Sequence, residues 1–292
     1  MGKTISKNTA DLGLLSVTIF WGTTFILSKI VLEEISLSKY LAVRLSIAAI
    51  AMSLYAWPYR RQLTVQTIKH GFILGIFLFF SYLFQMWGIS YTTASNAGFI
   101  TGLSVVFVPI FSVLFFGDHP KKASIVGIIF ATIGLFFLSG GDLGALNSGD
   151  WLVFMCALIV AFHVIFTGRF APINNIYVLT AVQLITIALF SLVLAGFDTN
   201  PGKPVNFSIM ALLVYLALFG TVFTFLMQTA MQRFTTATRT ALVFTMEPVF
   251  AALFAYLIGG ESLPPLGWLG GFLILCGMAI AEIEWEKFLV KQ

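Results

Sequence analysis

Charge is scarce in this chain. Asp, Glu, Lys and Arg make up 10% of its 292 residues, against about a quarter in ordinary soluble domains. So few charges cannot cover a water-facing surface. Cysteine is almost absent: Cys156 and Cys276 both lie inside apolar runs. That excludes a disulfide framework and a thiolate metal site. Histidine is limited to His70, His119 and His163, and the acids are scattered along the chain. The clustered acid–base groups of an integral-membrane enzyme are therefore missing. No Gly-x-x-x-x-Gly-Lys-Ser/Thr loop occurs and no connection is long enough for a nucleotide domain, so ATP hydrolysis is not expected. Nor is any metal or cofactor.

What the chain has is apolar surface. Hydrophobic residues are 59% of it, with 31 phenylalanines, and such an excess needs lipid as its partner. The net charge of +4 then reports orientation in a bilayer rather than affinity for nucleic acid. Lys3 and Lys7 precede a long apolar run without a short h-region and small-residue cleavage site. This reads as a retained first span, not a signal peptide.

Ten spans are expected: 11–31, 40–58, 70–90, 95–116, 122–140, 150–168, 175–196, 208–231, 238–258 and 266–284. Each has about the 20 residues needed to cross the hydrocarbon core. With a cytoplasmic N-terminus, twelve Lys and Arg lie inside (Lys3, Lys7, Arg60, Arg61, Lys69, Lys121, Lys122, Arg169, Arg233, Arg239, Lys287 and Lys291). Only Lys39 and Lys203 lie outside. That bias puts both termini in the cytoplasm.

The stretch around residues 83–101 returns later. Leu83, Gln85, Thr92, Thr93 and Ala94 recur as Leu226, Gln228, Thr235, Thr236 and Ala237, an offset of 228 − 85 = 143. The same offset pairs Gly117 with Gly260, Gly127 with Gly270 and Gly134 with Gly277. A fixed offset over so many positions is an internal repeat. Five spans per copy is an odd number, so the second copy must enter the bilayer upside down. The expected fold is all-α integral membrane, ten transmembrane helices in two inverted five-helix repeats, residues 1–145 and 146–292. In such transporters the solute sits near the midplane between the halves.

Several motifs resemble the drug/metabolite transporter superfamily in its EamA-type ten-helix branch. They are Phe20-Trp21-Gly22-Thr23, Arg44, the run from Tyr91 to Leu103, Val108-Pro109, Glu247-Pro248-Val249-Phe250 and Gly259-Gly260-Glu261. The resemblance covers nearly the whole chain. It implies export of amino acids, other metabolites or toxic compounds, often with proton exchange. It also implies that spans 1, 3, 4, 6, 8 and 9 line a central cavity, with spans 5 and 10 peripheral. Pro248 is matched by Val105 at the common offset, while Pro109 lies four residues on. Two kinks at different depths are expected from this.

Glu247 is the one carboxylate placed mid-span, away from the span ends. Such a group usually faces a partner or a wet cavity. It reads as a proton-coupling site, a counter-charge for a substrate amine, or a packing element bonded to backbone freed by Pro248. His163 is a second proton-coupling or carboxylate-binding candidate, or a histidine bonded to a neighbouring helix. Lys29 and Arg44 lie toward outer span ends, where long basic side chains snorkel to headgroups; otherwise they form a gate or mouth. Gln85 reads as interhelical glue or as a binding group, and its repeat partner Gln228 as glue. Asn96 reads as a helix cap or a carboxylate site. Trp21, Thr23, Tyr82, Trp87, Phe99, Phe166 and Phe244 are further candidates for lining a cavity suited to a partly apolar or aromatic solute.

The expected partners are a small-molecule substrate, protons and the lipid bilayer of the cell's inner or plasma membrane. The chain is read as a monomer or homodimer. An uncoupled facilitator or channel is the alternative to coupled transport.

Overall fold

A computed structural model describes residues 7–138, 147–199, 204–260 and 265–282. Lys3, Lys203, Glu261, Lys287 and Lys291 lie outside the described residues. Among those described, all regular structure is helical. In chain order the helices are α1 (Lys7–Leu32), α2 (Leu37–Ala56), α3 (Val65–Ile89), α4 (Ala94–Gly102), α5 (Ser104–Phe116), α6 (Lys122–Leu138) and α7 (Ser148–Phe170). They continue with α8 (Ile176–Gly196), α9 (Phe207–Ala217), α10 (Thr224–Gln232), α11 (Ala237–Phe244), α12 (Met246–Gly259) and α13 (Pro265–Glu282). A π-helical segment, Leu218–Phe223, joins α9 to α10.

Among the described residues, eight helical stretches are long and apolar enough to cross a membrane: α1, α2, α3, α4 with α5, α7, α8, α9 with α10, and α11 with α12. The helices α6 and α13 are equally apolar but shorter. Large side chains such as Leu54, Leu114, Leu189 and Leu257 point away from the protein, as lipid-facing residues must.

Local chemistry follows the repeat. The Thr93 hydroxyl accepts the Asn96 backbone N–H at 3.0 Å to start α4. The Thr236 hydroxyl accepts that of Arg239 at 3.2 Å to start α11. These caps are 236 − 93 = 143 residues apart. Asn96 itself therefore does not cap the helix; Thr93 does. Helices α5 and α12 stop at Gly117 and Gly260, with φ of 70° and 66°. This left-handed turn strains any side chain with a Cβ.

The kinks expected at different depths are instead at matching ones. Helix breaks at Leu103 and Thr245, 245 − 103 = 142 residues apart. Both are tight turns: Leu103 N–H bonds the Ile100 carbonyl and Thr245 N–H bonds the Leu242 carbonyl, each at 3.1 Å. Pro248 sits in the first turn of α12, where its missing N–H costs little. Pro109 lies deeper in α5 and does not place the break.

Small residues draw the helices together. A Cβ on Gly127 would lie 2.5 Å from the Gly277 carbonyl oxygen, and one on Gly134 would lie 2.6 Å from that of Gly270. Since 127 meets 277 and 134 meets 270, α6 and α13 pack antiparallel. Gly71 and Gly75 of α3 admit Val182 and Thr186 of α8 in the same way. Gly22 of α1 lies against Phe250 of α12. The interior left between these seams holds the site.

Candidate functional site

A chamber opens at the centre of the bundle. Its lining comes from Trp21 and Thr24 of α1, Arg44 of α2, and Leu78, Ser81, Tyr82 and Gln85 of α3. The α4–α5 break adds Thr101, Gly102 and Ser104, and α7 adds Cys156, Val160, His163 and Val164. Phe225 and Gln228 of α10, Phe244 of α11 and Glu247 of α12 close it. The chamber gives roughly 60 Å³ to the centres of water molecules, room for several waters.

The repeat organises this wall. Tyr82, Gln85, Thr101 and Ser104 are matched at the offset of 143 by Phe225, Gln228, Phe244 and Glu247, and all eight line the chamber. The two tight breaks turn Thr101, Ser104, Phe244 and Glu247 inward. The matched walls differ in chemistry. The first presents hydroxyls; the second presents aromatic rings and an acid.

Arg44 lies at the chamber edge and is 1% exposed, so it does not snorkel to headgroups. Its Nε donates to Thr221 Oγ1 at 3.1 Å. One terminal nitrogen donates to the Tyr82 hydroxyl and the Gly220 carbonyl, each at 3.2 Å. The other donates to the Tyr40 hydroxyl, which bonds Ser28 at 2.7 Å. Its guanidinium also lies 4.9 Å from the Tyr82 ring centroid, a cation–π distance. These partners explain how a cation is held inside the bundle: every one is neutral, and the π segment supplies two of them. A Cβ on Gly220 would lie 3.2 Å from the guanidinium, so glycine there leaves room for the bond.

Glu247 begins α12 and is half-buried. Among the described residues, no ion pair or hydrogen bond reaches its carboxyl from the protein. Trp21 packs edge-on to Phe244, with centroids 5.0 Å apart, and lies 5.5 Å from Phe225. His163 is buried, with Nε2 3.3 Å from Gln183 Oε1. Gln85 donates to Thr101 at 3.3 Å. Ser81 Oγ and Gln228 Oε1 are buried without a hydrogen-bond partner among the described residues.

Of the residues singled out by sequence, Trp21, Arg44, Tyr82, Gln85, His163, Phe244 and Glu247 meet in the chamber. The others do not line it. Thr23 is buried and bonds Tyr215 at 3.1 Å. Trp87 is 45% exposed, in a separate groove with Ser36, Phe197 and Asp198. Phe166 stacks on Phe77, and Phe99 packs against two apolar clusters. Asn96 and Lys29 are half-buried outside the chamber. Sequence reading passes over Thr24, Ser81, Thr101, Ser104, Cys156 and Phe225, and treats Gln228 as glue. The offset was the available signal: it carries Tyr82 to Phe225, Phe244 to Thr101 and Glu247 to Ser104.

A multi-pass helical membrane protein around an interior chamber lined by apolar, aromatic and polar groups is the architecture of a membrane transporter. The chain belongs to the EamA-like transporter family, within the drug/metabolite transporter superfamily: the family's model matches twice, over residues 8–140 and 147–282. Among its relatives is an uncharacterized transporter of Archaeoglobus fulgidus, 35% identical over 275 residues, 94% of this chain and 86% of that one. A probable terminal-alkyne amino-acid exporter of Streptantibioticus cattleyicolor is 23% identical over 276 residues, 91% of each chain. A protein of known crystal structure aligns with a TM-score of 0.77 at 19% identity, over 95% of this chain and 97% of that one; it shares the fold.

Proposed function

We propose that this chain is a secondary transporter that moves a small metabolite, an amino acid or a related polar or aromatic solute, outward across the cytoplasmic membrane. The carrying observation is the chamber wall, in which four positions of one half recur in the other at a fixed offset. A binding site shared between two repeats suits alternating access, because rocking one repeat against the other exposes the site to each side in turn. A chamber with room for several waters must open further to admit a metabolite. Trp21, Tyr82, Gln85 and Phe244 are the proposed binding groups. Glu247 is the proposed site of proton exchange and His163 the second candidate.

The antiparallel glycine seam supports the inverted arrangement. Gly127 repeats as Gly270 and Gly134 as Gly277, yet Gly127 meets Gly277 and Gly134 meets Gly270. Equivalent helices thus run in opposite directions, as they would if residues 146–292 enter upside down relative to 1–145. In this reading α6 and α13 are the fifth and tenth crossings.

The loop contacts support the expected grouping of helix ends on two opposite faces. Arg169–Asp118 at 2.6 Å and Arg239–Asp11 at 2.5 Å join ends assigned to the inside by the positive residues. Ser36–Asp198 at 2.7 Å and Thr92–Asp150 at 2.6 Å join ends assigned to the outside. The kinship with an amino-acid exporter supports both the solute class and the direction.

The test is counterflow in proteoliposomes loaded with an amino-acid mixture, with and without a pH gradient. Saturable exchange accelerated by the gradient is expected. Unsaturable flux indifferent to the gradient would replace this reading with a passive facilitator. Cysteines placed at Arg60 and Lys39 should label from opposite sides; labelling from one side would break the topology.

A further inference from the structure

We propose that the chamber opens along the seam of α7, α8 and α10, toward the helix ends that carry Arg169 and Arg233, and that Gln232 is the bolt across that seam. This rests on the transport reading and adds the route by which water and solute reach the chamber.

The two ends of the chamber are built differently. One turn beyond Trp21, Gln85 and Cys156, toward the helix ends that hold Thr92 and Asp150, stand Phe25, Ile89 and Val153. These three belong to one buried apolar cluster. The helices are close there: a Cβ on Gly88 would lie 2.6 Å from Val153 Cγ2 and 2.7 Å from the Gly149 carbonyl oxygen.

The opposite end is polar. Helix α10 packs against both α7 and α8. His163 of α7 bonds Gln183 of α8, whose amide donates to Thr229 of α10 at 3.5 Å. Gln228 donates to Gln232 at 3.3 Å, and Gln232 donates across the seam to the Val164 carbonyl. Glycine at 168 leaves room for that amide, since a Cβ there would lie 3.2 Å from Gln232 Nε2. One turn further toward the charged ends come Thr167 and Thr180, on the same helix faces as His163 and Gln183. Among the described residues, six buried side-chain atoms lack a hydrogen-bond partner. Four of them, in Thr167, Thr180, Gln228 and Thr235, belong to this seam. Such atoms are costly while buried unpaired, and water removes that cost. Parting α10 from α7 would wet them and break the Gln232–Val164 bond. Parting the opposite end would instead expose apolar side chains to water, which is unfavourable.

Cys156 reports the opening, because it lines the chamber and is 1% exposed. In the Cys276→Ala protein, a charged, impermeant methanethiosulfonate is applied to either side of sealed vesicles. The face on which Arg60→Cys labels is that of Arg169 and Arg233, since Asn175 bonds Gln62 there at 2.7 Å. Cys156 should be modified from that face. Gln232→Leu should speed the modification about fivefold, the scale of one neutral hydrogen bond. Gly168→Ala displaces the same amide and should act alike, so it decides the matter if Gln232→Leu does not fold. Thr167→Val and Thr180→Val each remove an unpaired hydroxyl at nearly constant shape. Both should slow the modification by about the same factor and raise the Tm. Modification from the opposite face alone, or from neither, would overturn the proposal. So would unchanged rates in Gln232→Leu and Gly168→Ala, or a lowered Tm in both valine variants. The labelling needs no transported solute. A protein that opens in this way yet exchanges no solute would defeat the transport reading and leave the seam as the opening.

Discussion

In the first half of the chain the third span is one unbroken helix, α3. Its counterpart in the second half, α9 with α10, is opened by the π segment Leu218–Phe223. At the common offset that segment falls on residues 75–80, in the middle of α3. The neighbours explain the difference. Against α3, the helix α8 sets Val182 and Thr186 into Gly71 and Gly75, a close apolar seam. Against the π segment, α2 sends in Arg44, which bonds the Gly220 carbonyl and the Thr221 hydroxyl. The wide turn exposes backbone acceptors that a regular helix would occupy, and a buried cation uses them. Repeats therefore fix the path of the chain, while single unmatched residues decide the chemistry of each wall.

The largest effect should come from removing that unmatched cation. Arg44→Met should deprive the Tyr40, Tyr82 and Thr221 hydroxyls and the Gly220 carbonyl of a donor, at about 1–3 kcal/mol for each group left unpaired. Little monodisperse protein should survive size exclusion. An unchanged Tm would show that the π segment stands without Arg44.

Next comes the pair Glu247 and Ser104, equivalent in the repeat and unequal in chemistry. Glu247→Gln should abolish the pH dependence of transport and slow it by about 100-fold, as expected when a proton-transfer group is lost. Ser104→Ala should slow it by about two- to tenfold, the scale of one neutral hydrogen bond. Initial rates in proteoliposomes at several pH values decide this. Equal losses, or retained pH dependence in Glu247→Gln, would clear Glu247 of coupling.

A smaller effect is expected in the glycine seams. Gly134→Val should destabilise by about 1–3 kcal/mol through overpacking against the Gly270 carbonyl. Gly271→Ala, whose new Cβ would meet nothing nearer than Val249 at 3.9 Å, should leave the melting temperature nearly as it was. Among the destabilising changes the mildest is Tyr82→Phe, which removes one bond to Arg44 and should cost about 1 kcal/mol in thermal unfolding.

Much of the scaffold was legible in the sequence because repeats and apolar runs are properties of position. The offset pairs Thr93 with Thr236 and Gly117 with Gly260, though the cap read at Asn96 belongs to Thr93. The chamber was legible only where a residue was odd for lipid, as with Glu247 and His163. Among aromatics the sequence is silent. Trp21 and Phe244 line the chamber while Phe99 and Phe166 pack elsewhere, and in a helix apolar on every face no periodicity separates the two. Arg44 was misjudged for a related reason. Its depth in the bundle depends on acceptors from a π turn far along the chain, and no local pattern announces that turn.

The glycine contact between α6 and α13 carries a constraint on how this chain can change. Each surface is the half-turn image of the other, the geometry by which identical subunits self-associate, but here both partners are encoded separately in one gene product. A bulkier residue at 134 would meet the backbone carbonyl of Gly270, and one at 127 that of Gly277; glycine has no side chain to give up, so neither partner can make room. Each of these four positions is therefore held to glycine by the opposite copy's backbone, and pairing two substitutions should rescue neither.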